Sequence, residues 1–125
     1  MKTPRLFVPL NAVTATTTSD PFDIENADKV TFEFTRANHS AGSSAFAVEV
    51  SVDGVNWVTF NKLIDNVTNT NAQNLTRVAS ASLASNTSKH YSMDLASDSF
   101  RLARVTVTET TDGTHTCKAH VLYNY

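Results

Sequence analysis

The chain has 125 residues, 41% of them hydrophobic and only 18% charged, with a formal net charge of −2 and one cysteine. That length suits a single domain able to bury about 70% of its unfolded surface. The weak acidic balance, with a pI near 6.0, offers no basic footprint to a nucleic acid, and one cysteine excludes an intramolecular disulfide framework. Polarity is carried instead by 18 Thr, 12 Ser and 11 Asn.

The N-terminal run Leu6-Phe7-Val8-Pro9-Leu10-Asn11 is apolar but broken by Pro9 and Asn11, too early for a signal-peptide core of about 7 to 15 residues. No stretch approaches the roughly 20 apolar residues that span a bilayer. These features predict a mature fold made in a reducing cytosol, with no membrane partner. The run either completes the fold as an edge strand or, as residues 1–11, forms an extended docking arm that the core can fold without.

Period two then dominates. Val30, Phe32 and Phe34 alternate with Thr31, Glu33 and Thr35, which predicts a half-buried strand. Phe46, Val48, Val50 and Val52 repeat the pattern up to Asp53-Gly54, a pair suited to a tight turn, and Trp57 to Phe60 follows. Residues 45–61 therefore read as a β-hairpin with its loop at 53–56. Residues 65–74, rich in Asn and Thr, read as a long surface connection. Alternation resumes in 78–83 and 91–95, read as a second hairpin turning at 84–88. Between Phe100 and Thr108 the phase changes, which predicts a bulge near Leu102 and Ala103. Residues 115–123 form the closing strand.

No window carries an amphipathic helical stripe, and Thr and Val favour strands. About eight antiparallel strands in a single all-β sandwich over residues 1–125, of jelly-roll or Greek-key type, are expected.

Candidate chemistry is sparse. His115, Cys117 and His120 have a metal-like spacing, but on a strand His120 points away from the other two, so one tetrahedral zinc cannot collect all three. Cys117 reads as a small core residue. The acidic stretch Asp20, Asp23, Glu25 and Asp28 fits no calcium loop. Glu33 and Glu49 sit on the polar faces of strands that would be a carboxylate pair only as neighbours. The N-x-[ST] matches at Asn38, Asn66, Asn74 and Asn86 follow from the composition. No enzyme, metal or cofactor is expected.

Ser51-Val52-Asp53-Gly54-Val55-Asn56-Trp57 resembles the S-x-D-G-x-x-W hairpin of discoidin-like and carbohydrate-binding β-sandwiches, where the Trp packs structurally. In its succession of strands, its Thr and Asn content and its ending at 105–114, the chain is similar to small all-β virion proteins of tailed bacteriophages. That resemblance implies a virion location and a role as capsid decoration (cement) or another head or tail component. Such a protein would bind the major capsid protein or another virion protein, and associate with itself, a trimer being favoured. A sandwich with open edges also needs its edges covered. The expected contact residues are Leu6, Phe7, Val8, Leu10, Leu63, Val67, Leu75, Tyr123 and Tyr125, with Ser51, Asp53, Gly54 and Trp57 as a structural hairpin. The alternative is a carbohydrate-binding module with Trp57, Tyr91 and Tyr123 as platforms; a small hydrolase using Cys117 and His115 is third.

Overall fold

Alternating β-branched and aromatic residues build strands wherever one face can be buried. The computed structural model, which describes residues 2–65, 76–95 and 99–124, is all-β. Six strands are long: β1 (Thr3–Val13), β4 (Ala27–Ala37), β5 (Ser44–Ser51), β10 (Thr87–Met93), β11 (Leu102–Glu109) and β12 (Thr114–Tyr123). Six are short: β2 (Thr17–Thr18), β3 (Phe22–Asp23), β6 (Val58–Thr59), β7 (Leu63–Asp65), β8 (Arg77–Val78) and β9 (Ala81–Leu83). The count exceeds the expected eight because these two- and three-residue pairings leave little alternation to read.

Two antiparallel sheets form the sandwich. One has the order β1-β12-β4-β10-β7-β8; the other has β2-β11-β5-β6, with β3 also on β11 and β9 also on β5. The chain changes sheet at most of its connections, in the jelly-roll manner. The sheets are aligned edge over edge. β1 contacts β11 and the Tyr123 hydroxyl donates to the Asp23 carbonyl at 2.5 Å, so the β1 edge lies over β2 and β3. β9 contacts β4 and β10, which places the β6 and β9 edge on the opposite side of the molecule.

The core between the sheets follows the alternation. Val30, Phe32 and Phe34 of β4, Phe46, Val48 and Val50 of β5, Val105 and Val107 of β11, and Cys117, Ala119 and Val121 of β12 are all buried. A row of rings runs through it: Phe7 to Phe22 (5.2 Å between centroids), Phe22 to Phe32 (6.2 Å), Phe32 to Phe34 (5.5 Å) and Phe34 to Phe46 (4.8 Å). Offset and edge-on pairs at these distances add to the burial of their area.

Several local expectations are corrected. Residues 78–83 and 91–95 are not a hairpin: β9 pairs with β5 and β10 pairs with β4 and β7, in different sheets. There is no bulge at Leu102 and Ala103. The register of β11 on β5 is continuous from Leu102↔Ser51 to Glu109↔Ser44; Phe100 lies before the strand and packs edge-on to Phe60 at 6.2 Å. Val52 is 65% exposed, because β5 ends at Ser51 and Val52 falls in the turn beyond it. The N-terminal stretch is an edge strand, paired with β12 from Thr3↔Tyr123 to Val13↔His115. Its removal would strip β12 of a partner and Leu10 from the core, so the core is not indifferent to it. Most of the 65–74 connection lies outside the described residues.

Candidate interaction surface

The side chains best suited to chemistry are sealed. Along β4 the inward series Val30, Phe32, Phe34 continues to Arg36, which is 1% exposed. Its guanidinium donates to the carbonyls of Ala41, Gly42, Leu83 and Asp112 at 2.9 to 3.1 Å. Four carbonyl dipoles around its two terminal nitrogens offset much of its lost hydration, while Nε is buried with no partner among the described residues, and they tie two connections and the end of β9 to the sheet.

Beside it lies a pair without any local sequence signal. The Ser44 Oγ and His115 Nε2 are 2.6 Å apart and the His115 Nδ1 is 3.2 Å from the Val13 carbonyl. With Nδ1–H directed at that carbonyl, Nε2 accepts from the Ser44 hydroxyl. This is the spacing of a nucleophile and its base, but both residues are within the core, at 1% and 0% exposure. A glycine next to them keeps room: a Cβ on Gly113 would stand 3.2 Å from Arg36 Nε and 3.4 Å from His115 Nε2.

Cys117 is fully buried, and burial, then the charge of Glu33, pushes its thiol well above the ordinary range. It is held as a thiol rather than the nucleophilic thiolate. His120 lies on the opposite, exposed face of β12. Among the described residues no group of three or more His, Cys, Asp or Glu is arranged to hold a metal. Glu33 and Glu49 are not neighbours. They belong to different sheets, Glu33 beside His90 (3.0 Å) and Glu49 beside Arg104 (3.0 Å). In the acidic stretch Asp20, Asp23, Glu25 and Asp28 are exposed, and the hydrogen bond from Lys2 holds the Asp28 carboxyl below the usual range.

The 51–57 hairpin is built from its own side chains. Asp53 Oδ1 accepts the backbone N–H groups of Val55 and Asn56, each at 2.8 Å, and its Oδ2 accepts the Asn56 amide at 2.7 Å. The Ser51 hydroxyl donates to Asp53 (3.0 Å) while accepting from the Gly54 N–H (2.8 Å). Gly54 supplies the left-handed φ of +79° that the turn requires. These donors, with the Asn56 N–H foremost, hold the Asp53 carboxyl far below the ordinary carboxylate range. Trp57 is half-buried, with the Arg104 guanidinium 4.3 Å from its ring centroid and that guanidinium bonded to Glu49.

The residues expected at a contact surface divide. Leu10 (1% exposed), Leu63 (0%) and Tyr123 (2%) belong to the core: Leu10 and Tyr123 lie on the inward faces of β1 and β12, and Leu63 opens β7 against Met93. Phe7 is half-buried against Phe22. Val67, Leu75 and Tyr125 lie outside the described residues. Leu6 and Val8 remain on the surface, at 51% and 45% exposure.

Leu6 lines an open groove of about 360 Å³ across β1, β12 and β4. The register places Leu6 beside His120 and Thr31 in one row, and Pro4 beside Leu122 and Lys29 in the next. The lining carries Arg5, Lys29 and His120 and no carboxylate. Three more apolar side chains are exposed in the turn after β5 and on β6, Val52, Val55 and Val58, at 65%, 78% and 57%; Val52 lines a recess with Glu25, Phe100 and Arg101. Sequence reasoning missed these because Val52 was assigned to the inner face and the other two to an ordinary turn and return strand.

No protein-family model matches the chain, and no curated protein matches it in sequence. Solved structures that share its fold include two derived from prophages. YomS, a protein derived from the SPBc2 prophage, is 15% identical over 98% of this chain and 95% of its own, with a TM-score of 0.71. The PBSX exported protein XepA is 12% identical over 97% of this chain, with a TM-score of 0.74, and this chain spans 38% of its length. At these identities the likeness shows a common β-sandwich.

Proposed function

We propose that this protein is a non-enzymatic structural component of a bacteriophage particle. In this reading it associates with itself and adheres to a larger protein lattice as capsid decoration or another head or tail component. The carrying observation is the pairing of a sealed interior with a fold that matches a prophage-derived protein along nearly its whole length. The Ser44, His115 and Cys117 side chains that would serve a hydrolase have no path to a substrate, whereas apolar side chains on β1, in the turn after β5 and on β6 face solvent. Function then resides in surface burial rather than in a reactive centre.

The carbohydrate alternative loses most of its platforms. Tyr91 and Tyr123 are buried, and one face of the Trp57 ring is occupied by Arg104.

Mass spectrometry of purified particles from a host carrying this gene tests the reading, together with the native mass of the full chain across a dilution series. The expected result is a stoichiometric virion component that forms a closed homo-oligomer, a trimer by our reading. Absence from particles, or quenching of Trp57 fluorescence by a glycan panel with no association at any concentration, would overturn it.

A further inference from the structure

Aspartate is followed by glycine at two places in the chain, Asp53-Gly54 and Asp112-Gly113. A glycine has no side chain to shield its amide nitrogen, which can attack the Cγ of the preceding aspartate. An N–Cγ bond forms, a Cγ–O bond breaks and water leaves, giving a five-membered succinimide. Water then opens the ring, and opening at the carbonyl next to Cα leaves isoaspartate, with one extra methylene in the main chain. The first step needs the carboxyl as its neutral acid, free to turn toward the glycine nitrogen. Both turns deny these conditions, by different means. Asp53 Oδ1 accepts the N–H groups of Val55 and Asn56 at 2.8 Å and the Ser51 hydroxyl at 3.0 Å, while the Gly54 N–H that would attack is donated to the Ser51 Oγ at 2.8 Å. At Asp112 the clamp comes from 72 residues away: Ser40 donates its backbone N–H to Oδ1 at 3.0 Å and its hydroxyl to Oδ2. These bonds, the Asn56 N–H foremost at Asp53 and the Ser40 hydroxyl foremost at Asp112, hold both carboxyls ionised, below their ordinary range.

We infer that Asp53 and Asp112 are the chain's sites of spontaneous isoaspartate formation, and that Ser51 and Ser40 are the residues that keep them unreacted. Each serine bonds the carboxylate of its own site, so the two guards act independently. What they protect differs. The turn at Asp53 is exposed and closed by its own side chains. The Asp112 carbonyl, in contrast, accepts from the buried Arg36 guanidinium at 3.0 Å, and Gly113 leaves so little room that a Cβ there would stand 3.2 Å from Arg36 Nε. Isomerisation at Asp112 turns that carbonyl into a free carboxylate and lengthens a turn packed against Arg36 and His115. Ser40 therefore guards the Arg36 site as well as its own turn.

Prolonged incubation of the full chain in warm neutral buffer tests this, with isoaspartate located by electron-transfer fragmentation mass spectrometry. Synthetic peptides spanning residues 49–58 and 108–117 supply the unguarded rates. In the wild type both sites are expected to react at least several-fold more slowly than in the peptides. Ser51→Ala is expected to speed the reaction several-fold at Asp53 alone, and Ser40→Ala at Asp112 alone; circular dichroism and melting establish that each variant folds. Ser40→Thr, which keeps a hydroxyl, is expected to stay near the wild-type rate. Wild-type rates equal to those of the peptides overturn the guarding without need of any variant. A variant that leaves its own site unchanged, or that speeds both sites together, overturns the role given to its serine. Isoaspartate that accumulates first at other residues overturns the assignment of the sites.

Discussion

At the scale of single residues, the most consequential side chain for stability is Arg36. A buried guanidinium without a carboxylate bonded to it is costly to desolvate, and here the cost is offset by four carbonyl acceptors, from the 41–42 connection, the end of β9 at Leu83 and the turn before β12. Arg36→Met keeps much of the volume but leaves those carbonyls without their donor. Each buried unsatisfied acceptor costs about 1 to 3 kcal/mol, and partial hydration reduces the sum. We expect a loss of about 3 kcal/mol or more, measured as a lower urea midpoint; a midpoint within experimental error of wild type would show that the turns do not depend on this residue. Nothing in the sequence distinguishes Arg36 from an exposed basic residue except its phase. It falls on the inward parity of β4, and that parity is the only local sign of its burial.

At the scale of elements, the turn of the 51–57 hairpin is legible from seven residues because the side chains that close it, Ser51, Asp53 and Asn56, bond within the segment. Its acid response follows from Asp53. The folded carboxyl titrates below its unfolded value, so the stabilising network is complete above the ordinary carboxylate pKa of about 3.9 and is lost only as pH falls through the lowered folded value. The Val55 and Asn56 amide shifts should stay constant from neutral pH down to about pH 4 and move only in stronger acid, as read by NMR; a midpoint at the ordinary value would show that the network does not hold in solution. Strand pairing behaves differently. Alternation in 78–83 and 91–95 marks strands correctly, but it cannot name their partners, and a short intervening turn invites a hairpin reading. The chain instead passes from one sheet to the other between β9 and β10. The apparent bulge near Leu102 has the same origin: Phe100 is apolar because it packs against Phe60 outside the strand, so it has no place in the strand's parity.

At the scale of the whole molecule, one core joins the two sheets, and the ring row from Phe7 to Phe46 crosses it. The first and last long strands are paired along most of their length, so the ends of the chain are locked together. Neither sheet can release its inner face without exposing the other. Unfolding by urea is therefore expected to give a single transition, with Trp57 fluorescence and far-ultraviolet circular dichroism coincident. Two separated transitions would mean that the sheets unfold independently. Self-association would raise the midpoint with protein concentration by mass action, so the comparison is made at one concentration and repeated at a second.

The sequence by itself determined that this is an all-β sandwich, which residues of β4 and β5 face inward, and that the 51–57 segment turns back on itself. Side-chain alternation and turn chemistry are properties of neighbouring residues, so they can be read without knowing where the chain goes next. The tertiary structure alone decided which strands are partners, that Glu33 and Glu49 stand in different sheets, that Ser44 meets His115 within the core, and that Leu10, Leu63 and Tyr123 are buried while Val52, Val55 and Val58 are not. Each of these depends on contacts between residues far apart in the chain. An apolar side chain looks the same in sequence whether it fills a core or faces a partner, and only the position of the opposite sheet separates the two.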